Sequence, residues 1–296
     1  MLNWAMIRNV LVLALCVTPA LAEPVRYFGY AAIACGLDDP HDASQKTDYI
    51  DEVAGFTNLN QVCLSPDPAV TADRLARMAA AGSAALFNIE PALFVQTAAG
   101  LRPNPDRAAL WPLVTEAVSQ SGTPPERIFF YLADEPTLRH LPPADLSDAA
   151  RLVKQTYPAA SLMVIEAYDP AGPGPIVPEL DYWGFDAYAV KDPATEPLYL
   201  AYLDRSRALL GKDQHLVLMM DAMHTPIHQD LGISQADMAA VARSYLNLAQ
   251  DRGDVAAILG YSWVGGIDNA SERGVRDLPA NVQATHRDIG TLLLGK

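Results

Sequence analysis

The sequence predicts a single α/β domain, a closed (β/α)8 barrel of the TIM type, and three observations carry that expectation. Residues 23–296 contain no low-complexity tract and no linker, a length that suits one large domain better than two small ones. Eight apolar runs rich in β-branched and aromatic residues recur along them, the number of strands a closed parallel barrel requires. Between the runs, turn residues lead into stretches with apolar residues at helical spacing, and strict β-α alternation gives a parallel sheet.

The strand candidates are Val25–Cys35, Asn60–Leu64, Ala84–Ile89, Ile128–Ala133, Ser161–Ala167, Tyr182–Ala187, His215–Met220 and Ala256–Trp263. Helical spacing falls on Lys46–Ala54, on Ala72–Ala81 opened by Thr71, on Pro105–Ser119 with its proline in the first turn, and on Ala144–Thr156. It returns in Pro197–Leu210 closed by Gly211, in Gln235–Asp251 opened by Ser234, and in Val282–Leu294. The fifth helix is expected to be truncated, because the connection from Tyr168 to Glu179 carries too many prolines and glycines for more than a turn. No G-x-G-x-x-G follows the first strand, which argues against a nucleotide-binding sheet.

Ahead of the barrel, Met1 to Arg8, the apolar run Val10–Val17 and the small-residue end Ala20-Leu21-Ala22 read as a signal peptide removed after Ala22. The run is too short to span a membrane. A secreted or periplasmic protein is expected, without a membrane span. With 35 acidic against 21 basic residues the net charge is −14, so nucleic acid and anionic membrane surfaces are poor partners. Cys35 and Cys63, on the first two strands, suit either a disulfide in an oxidising compartment or two buried thiols.

In a barrel of this kind chemistry sits where polar residues end apolar strands. Strand four ends in Asp134-Glu135-Pro136 and strand six in Phe185-Asp186-Ala187-Tyr188. Strand seven ends in Met219-Met220-Asp221 and strand eight in Tyr261-Ser262-Trp263. Acetal hydrolysis needs a protonated carboxyl to assist the leaving oxygen and an ionised carboxylate on the other face of the sugar, and neither metal nor cofactor. Glu135 is the expected acid, its pKa raised by its neighbour Asp134 and by an apolar strand end. Asp221 is the first candidate partner and Asp186 the second, with Glu166 and Glu90 as outsiders. Tyr188 is placed to hydrogen-bond the ionised partner and Trp263 to stack on a sugar ring.

These motifs resemble the clan A glycoside hydrolases, whose fourth strand ends Asn-Glu-Pro-like, whose sixth reads D-[FY]-x-G-[FIL]-[DNS]-x-Y, as Asp181 to Tyr188 does here, and whose eighth ends in Trp. The resemblance implies a retaining glycosidase acting on an oligo- or polysaccharide, with Glu135 as acid/base and Asp134 on a sugar hydroxyl. It departs at two positions. Asp134 replaces the Asn, and Asp221 replaces the nucleophilic Glu of strand seven.

Two other readings have residues behind them. His224-Thr225-Pro226-Ile227-His228 fits the H-[ST]-x-x-H zinc motif of metal-dependent polysaccharide deacetylases, and Asp38-Asp39 follows the first strand as their paired aspartates do. The two departures from the hydrolase pattern suit a catalytically inactive carbohydrate-binding barrel. A chitinase-like D-x-D-x-E is absent, since Tyr131 and Ala133 hold the positions it would need.

Overall fold

The computed structural model describes residues 24–295, so the expected signal peptide, residues 1–22, lies outside the described residues. The eight barrel strands are β1 (Tyr27–Tyr30), β2 (Leu59–Cys63), β3 (Ala84–Asn88), β4 (Ile128–Asp134), β5 (Ser161–Ala167), β6 (Tyr182–Asp186), β7 (His215–Asp221) and β8 (Val255–Tyr261). Neighbours in sequence are neighbours in space, all parallel, and β8 returns to pair with β1. The fold is thus the (β/α)8 barrel read from the sequence.

The last seam, between β1 and β2, closes differently from the others. A single backbone bridge joins Ala34 to Val62. Side-chain amides supply what the ladder omits: Asn58 accepts from Phe28 N at 2.9 Å, Asn60 from Tyr30 N at 3.1 Å and Gln61 from Ala32 N at 2.6 Å. The strands come so close that a Cβ on Gly29 would lie 1.6 Å from the Leu59 carbonyl oxygen, so only glycine fits there. Beyond it, Cys35 and Cys63 form a disulfide that ties the ends of the two strands together. β1 is shorter than its apolar run because the chain turns at Ala31–Ile33, with Ala32 at φ 58°.

Alternation along the strands divides the core in two. Leu86, Phe129, Tyr131, Ile165, Val217, Met219 and Leu259 fill the lumen. Phe28, Phe87, Phe130, Val164, Phe185 and Leu218 face outward against the helices. The principal helices are Pro68–Ala80, Arg107–Ser121, Pro143–Thr156, Pro197–Leu209, Met238–Arg252 and Ala280–Leu294, with a single turn at Ile50–Val53. The helix at Pro68 begins four residues earlier than expected, because Asp67 rather than Thr71 caps it by accepting from Ala69 N. Ser234 starts a 3-10 turn that runs into the helix at Met238. No helix joins β5 to β6, as the proline and glycine content requires.

Candidate active site

The strand ends place the site at the C-terminal mouth of the barrel, in a cleft of about 380 Å³. Tyr131 and Met219, the top of the lumen packing, form part of its lining. Asp134, Glu135, Asp186 and Asp268 supply its carboxylates, Tyr188 and Tyr261 its aromatic wall, and the Cys35–Cys63 disulfide one edge.

Glu135 stands where β4 stops. Its N–H still donates to Ile165 O of β5 at 2.8 Å, but its φ of 45° turns the chain out of the sheet. A positive φ is costly for a residue with a Cβ and persists where surrounding structure enforces it. Here Arg139 N donates back to Glu135 O at 2.9 Å and Leu141 N to Pro136 O at 2.8 Å, fixing the following turn. Burial and then the charge of Asp134 push the Glu135 carboxyl above its usual range, while Arg139 pulls the other way.

Asp134 is exposed at the cleft. Its side chain accepts from the Tyr131 hydroxyl, and its N–H donates to Glu90 at 2.7 Å. Burial raises its pKa against the opposing pull of Tyr131 and Arg139. Arg139 pairs with Glu90 at 2.8 Å and also donates to Asp134 O at 3.1 Å, so one guanidinium braces the acidic rim.

Asp186 faces this group from β6, only 8% exposed. Burial, then the charges of Glu135 and Asp134, push its carboxyl up to about 8, against a hydrogen bond from the Tyr188 hydroxyl at 3.3 Å. Glu166 on β5 is buried as well and is pushed up to about 7, mainly by burial. Both of its oxygens are taken by Thr137, through the backbone N–H at 3.0 Å and the hydroxyl at 2.8 Å. The charges of Glu135 and Asp134 act on both Asp186 and Glu166 and add to burial in favouring their protonated forms.

Asp221 lies apart. It does not line the cleft, and at 1% exposure one of its oxygens accepts from both His228 Nε2 at 2.8 Å and Ala189 N at 2.7 Å. Its place in the structure is beneath the turn after β6: it holds Ala189, at φ 58°, directly after Tyr188. Strand-end position alone did not reveal this, because His228 arrives from the short helix Pro226–Asp230 and covers the carboxylate.

Trp263 also departs from expectation. β8 ends at Tyr261, the chain turns, and Trp263 enters the outer core, 1% exposed, against Tyr30 and Phe56 with Arg287 over its ring. Its Nε1 donates to Glu52 at 2.8 Å, so no face is free for a sugar. Tyr261 occupies the cleft position instead, 5.6 Å from Tyr188 between ring centroids and donating to Asp268 at 2.9 Å. The signal was present in the sequence: Tyr261, the last residue before Ser262 interrupts the apolar run, keeps the alternation of the lumen residues Ala257 and Leu259.

The histidine motif does not assemble zinc ligands. His224 Nε2 bonds Ile233 O at 3.0 Å, His228 binds Asp221 and Thr225, and Asp39 is taken by Arg276 and Gly265 N. Among the described residues no group of three or more His, Cys, Asp or Glu is disposed to hold a metal ion. Among them, too, no helix is long and apolar enough to cross a membrane.

The (β/α)8 barrel with carboxylates of β4 and β6 at its mouth is similar to several known structures. A GH113 β-1,4-mannanase superposes with a TM-score of 0.59 at 11% identity, over 90% of this chain and 99% of that one. Active domain 2 of a chitinase from Pyrococcus furiosus gives 0.55 at 10% identity, over 94% and 98%. The FMN-binding β-glucuronidase from Facaelibacterium prausnitzii L2-6 gives 0.54 at 14% identity over 82% of this chain, which spans only 38% of the length of that enzyme. No protein-family model and no curated protein sequence matches the chain. At these identities the likeness establishes the shared fold, in line with the clan A resemblance.

Proposed function

We propose that this protein is a glycoside hydrolase that cleaves an O-glycosidic bond of an oligo- or polysaccharide or another glycoside, with Glu135 and Asp186 as its carboxylate pair. The observation that carries the reading is their common cleft at the C-terminal mouth, where the charge of Glu135 acts on Asp186. Asp186, the more deeply buried, is the group held protonated near neutral pH, which casts it as the acid and Glu135 as the carboxylate, the reverse of the acid role expected for Glu135 from the sequence. One proton and one charge are what a two-carboxylate mechanism uses. The proton goes to the glycosidic oxygen as its bond to the anomeric carbon breaks, and the carboxylate stabilises the positive charge on that carbon or directs a water to it. Sequence reading paired Glu135 with Asp221 first; the burial of Asp221 behind His228 favours Asp186. Asp134 and Asp268 are available to sugar hydroxyls, Tyr188 orients Asp186, and Tyr261 offers an apolar face. The Cys35–Cys63 disulfide supports export to an oxidising compartment, as a secreted or periplasmic protein.

The test is hydrolysis of a panel of α- and β-linked glycans by the wild type and by Glu135→Gln. Cleavage by the wild type alone, with both proteins binding the same glycan, is expected. Undiminished turnover in Glu135→Gln would refute the assignment. A second reading, a carbohydrate-binding barrel without turnover, is favoured by one observation: the strand-seven carboxylate is sealed from the cleft. Binding without cleavage by the wild type on every glycan would establish it.

A further inference from the structure

Beside the catalytic cleft lies a second cavity of about 690 Å³, bounded by the ends of β5 and β6, the start of the helix Pro197–Leu209 and the segment after the helix Pro226–Asp230. Asp186 and Tyr188 belong to the walls of both spaces. The two spaces therefore adjoin at Asp186, the residue proposed to protonate the glycosidic oxygen.

The two spaces differ in chemistry. The cleft presents four carboxylates. The second cavity presents Val190, Leu198, Leu231 and Ile233 beside the rings of Tyr168, Tyr188 and Tyr199, with Lys191 and Glu196 as its charged groups besides Asp186. Leu198 and Leu231 are 68% and 62% exposed, an arrangement that costs free energy in water and is relieved by an apolar occupant. An alkyl or aryl group would cover the aliphatic side chains without cost, whereas a sugar lying against them would bury hydroxyl groups there.

We infer that this cavity binds the leaving group, and that the preferred substrates are glycosides of apolar alcohols or phenols, including glycolipids, rather than glycans continued by sugar on that side. The inference rests on the glycosidase reading for the placement of the bond. The cavity itself can be tested without turnover.

The measurement is calorimetric titration of Glu135→Gln, which retains both spaces, with methyl and n-octyl β-D-glucopyranoside and the corresponding mannopyranosides, below the micellar concentration of the octyl compounds. For at least one sugar the octyl glycoside is expected to bind at least tenfold more tightly than the methyl one. Adding Leu198→Ser and Leu231→Ser, both surface changes that spare the core, should erase that difference and leave the methyl glycoside unaffected. Equal binding of octyl and methyl glycosides would overturn the inference, and so would an octyl preference that survives the two serines. Turnover separates the two proposals: an octyl preference erased by the serines, with a wild type that cleaves none of these glycosides or glycans, would leave the apolar site standing and refute the hydrolase.

Discussion

Replacing Asp186 by Asn should make the protein more stable, by an amount that grows from nothing near pH 4 to its full value above pH 8. In the folded protein this carboxyl is pushed up to about 8, against about 4 in an unfolded chain. Between these values the native state binds a proton that the unfolded state has lost, so wild-type stability falls as pH rises through that window. Below pH 4 both states are protonated and the penalty is absent; above 8 it is complete. Four pH units at about 1.4 kcal/mol each set a ceiling of about 6 kcal/mol. Sharing of protons with Glu135 and Glu166 and water in the cleft reduce it, and a gain of about 2 kcal/mol is the realistic expectation for the neutral, isosteric amide. For a barrel of this size that corresponds to about 5 °C in Tm. Thermal unfolding of both proteins at pH 4, 6 and 8.5 should therefore show no difference, a partial gain and the full gain in turn. A gain as large at pH 4 as at 8.5, or none at 8.5, would show that Asp186 is not held protonated by its surroundings.

Four further outcomes follow from the same geometry. Arg139→Met removes the cation that restrains Asp134 and Glu135, so the acidic limb of the kcat/KM profile should move up by about one pH unit, read from the pH dependence of turnover. Loss of the Cys35–Cys63 disulfide opens a loop with a sequence separation of 28 residues, and Cys35→Ser with Cys63→Ser should cost about 3.5 kcal/mol in denaturant unfolding. Trp263→Phe forfeits its bond to Glu52 and leaves a void, for a loss of about 2–4 kcal/mol with KM unchanged; a raised KM would put this residue back against the sugar. In the wild type, kcat/KM should fall as pH rises through about 8, where Asp186 loses its proton.

The barrel was legible because its rule is repetitive: eight apolar runs long enough for strands, each followed by a turn, and helical spacing after all but the fifth. Strand ends were legible too, since a polar residue closing a run such as Ile128–Ala133 marks the mouth of the barrel. What lay beyond the ends was not. Alternation fails once a strand stops, so Trp263, in step with the lumen residue Leu259 by simple counting, turns into the outer core while Tyr261 takes the cleft. Asp221 sits correctly at the end of β7, but whether a carboxylate faces solvent or a histidine seven residues later depends on a loop whose path the sequence does not encode locally. The same holds for the amides of Asn58, Asn60 and Gln61 at the closing seam, which look like ordinary polar residues until β1 and β2 are brought together. Asp268 and Arg139 were missed for this reason: both reach the site from loops.

The central claim, that Glu135 works with Asp186 and that Asp221 only supports the turn beside them, is tested most directly by one comparison of kcat/KM. Glu135→Gln, Asp186→Asn and Asp221→Asn would be assayed on a single glycoside that the wild type cleaves. The first two should each fall about a thousand-fold or more, and the third about tenfold, through the shift of Ala189 and Tyr188. An Asp186→Asn protein that remains active while Asp221→Asn is as impaired as Glu135→Gln would contradict the account and restore the strand-seven carboxylate as the partner.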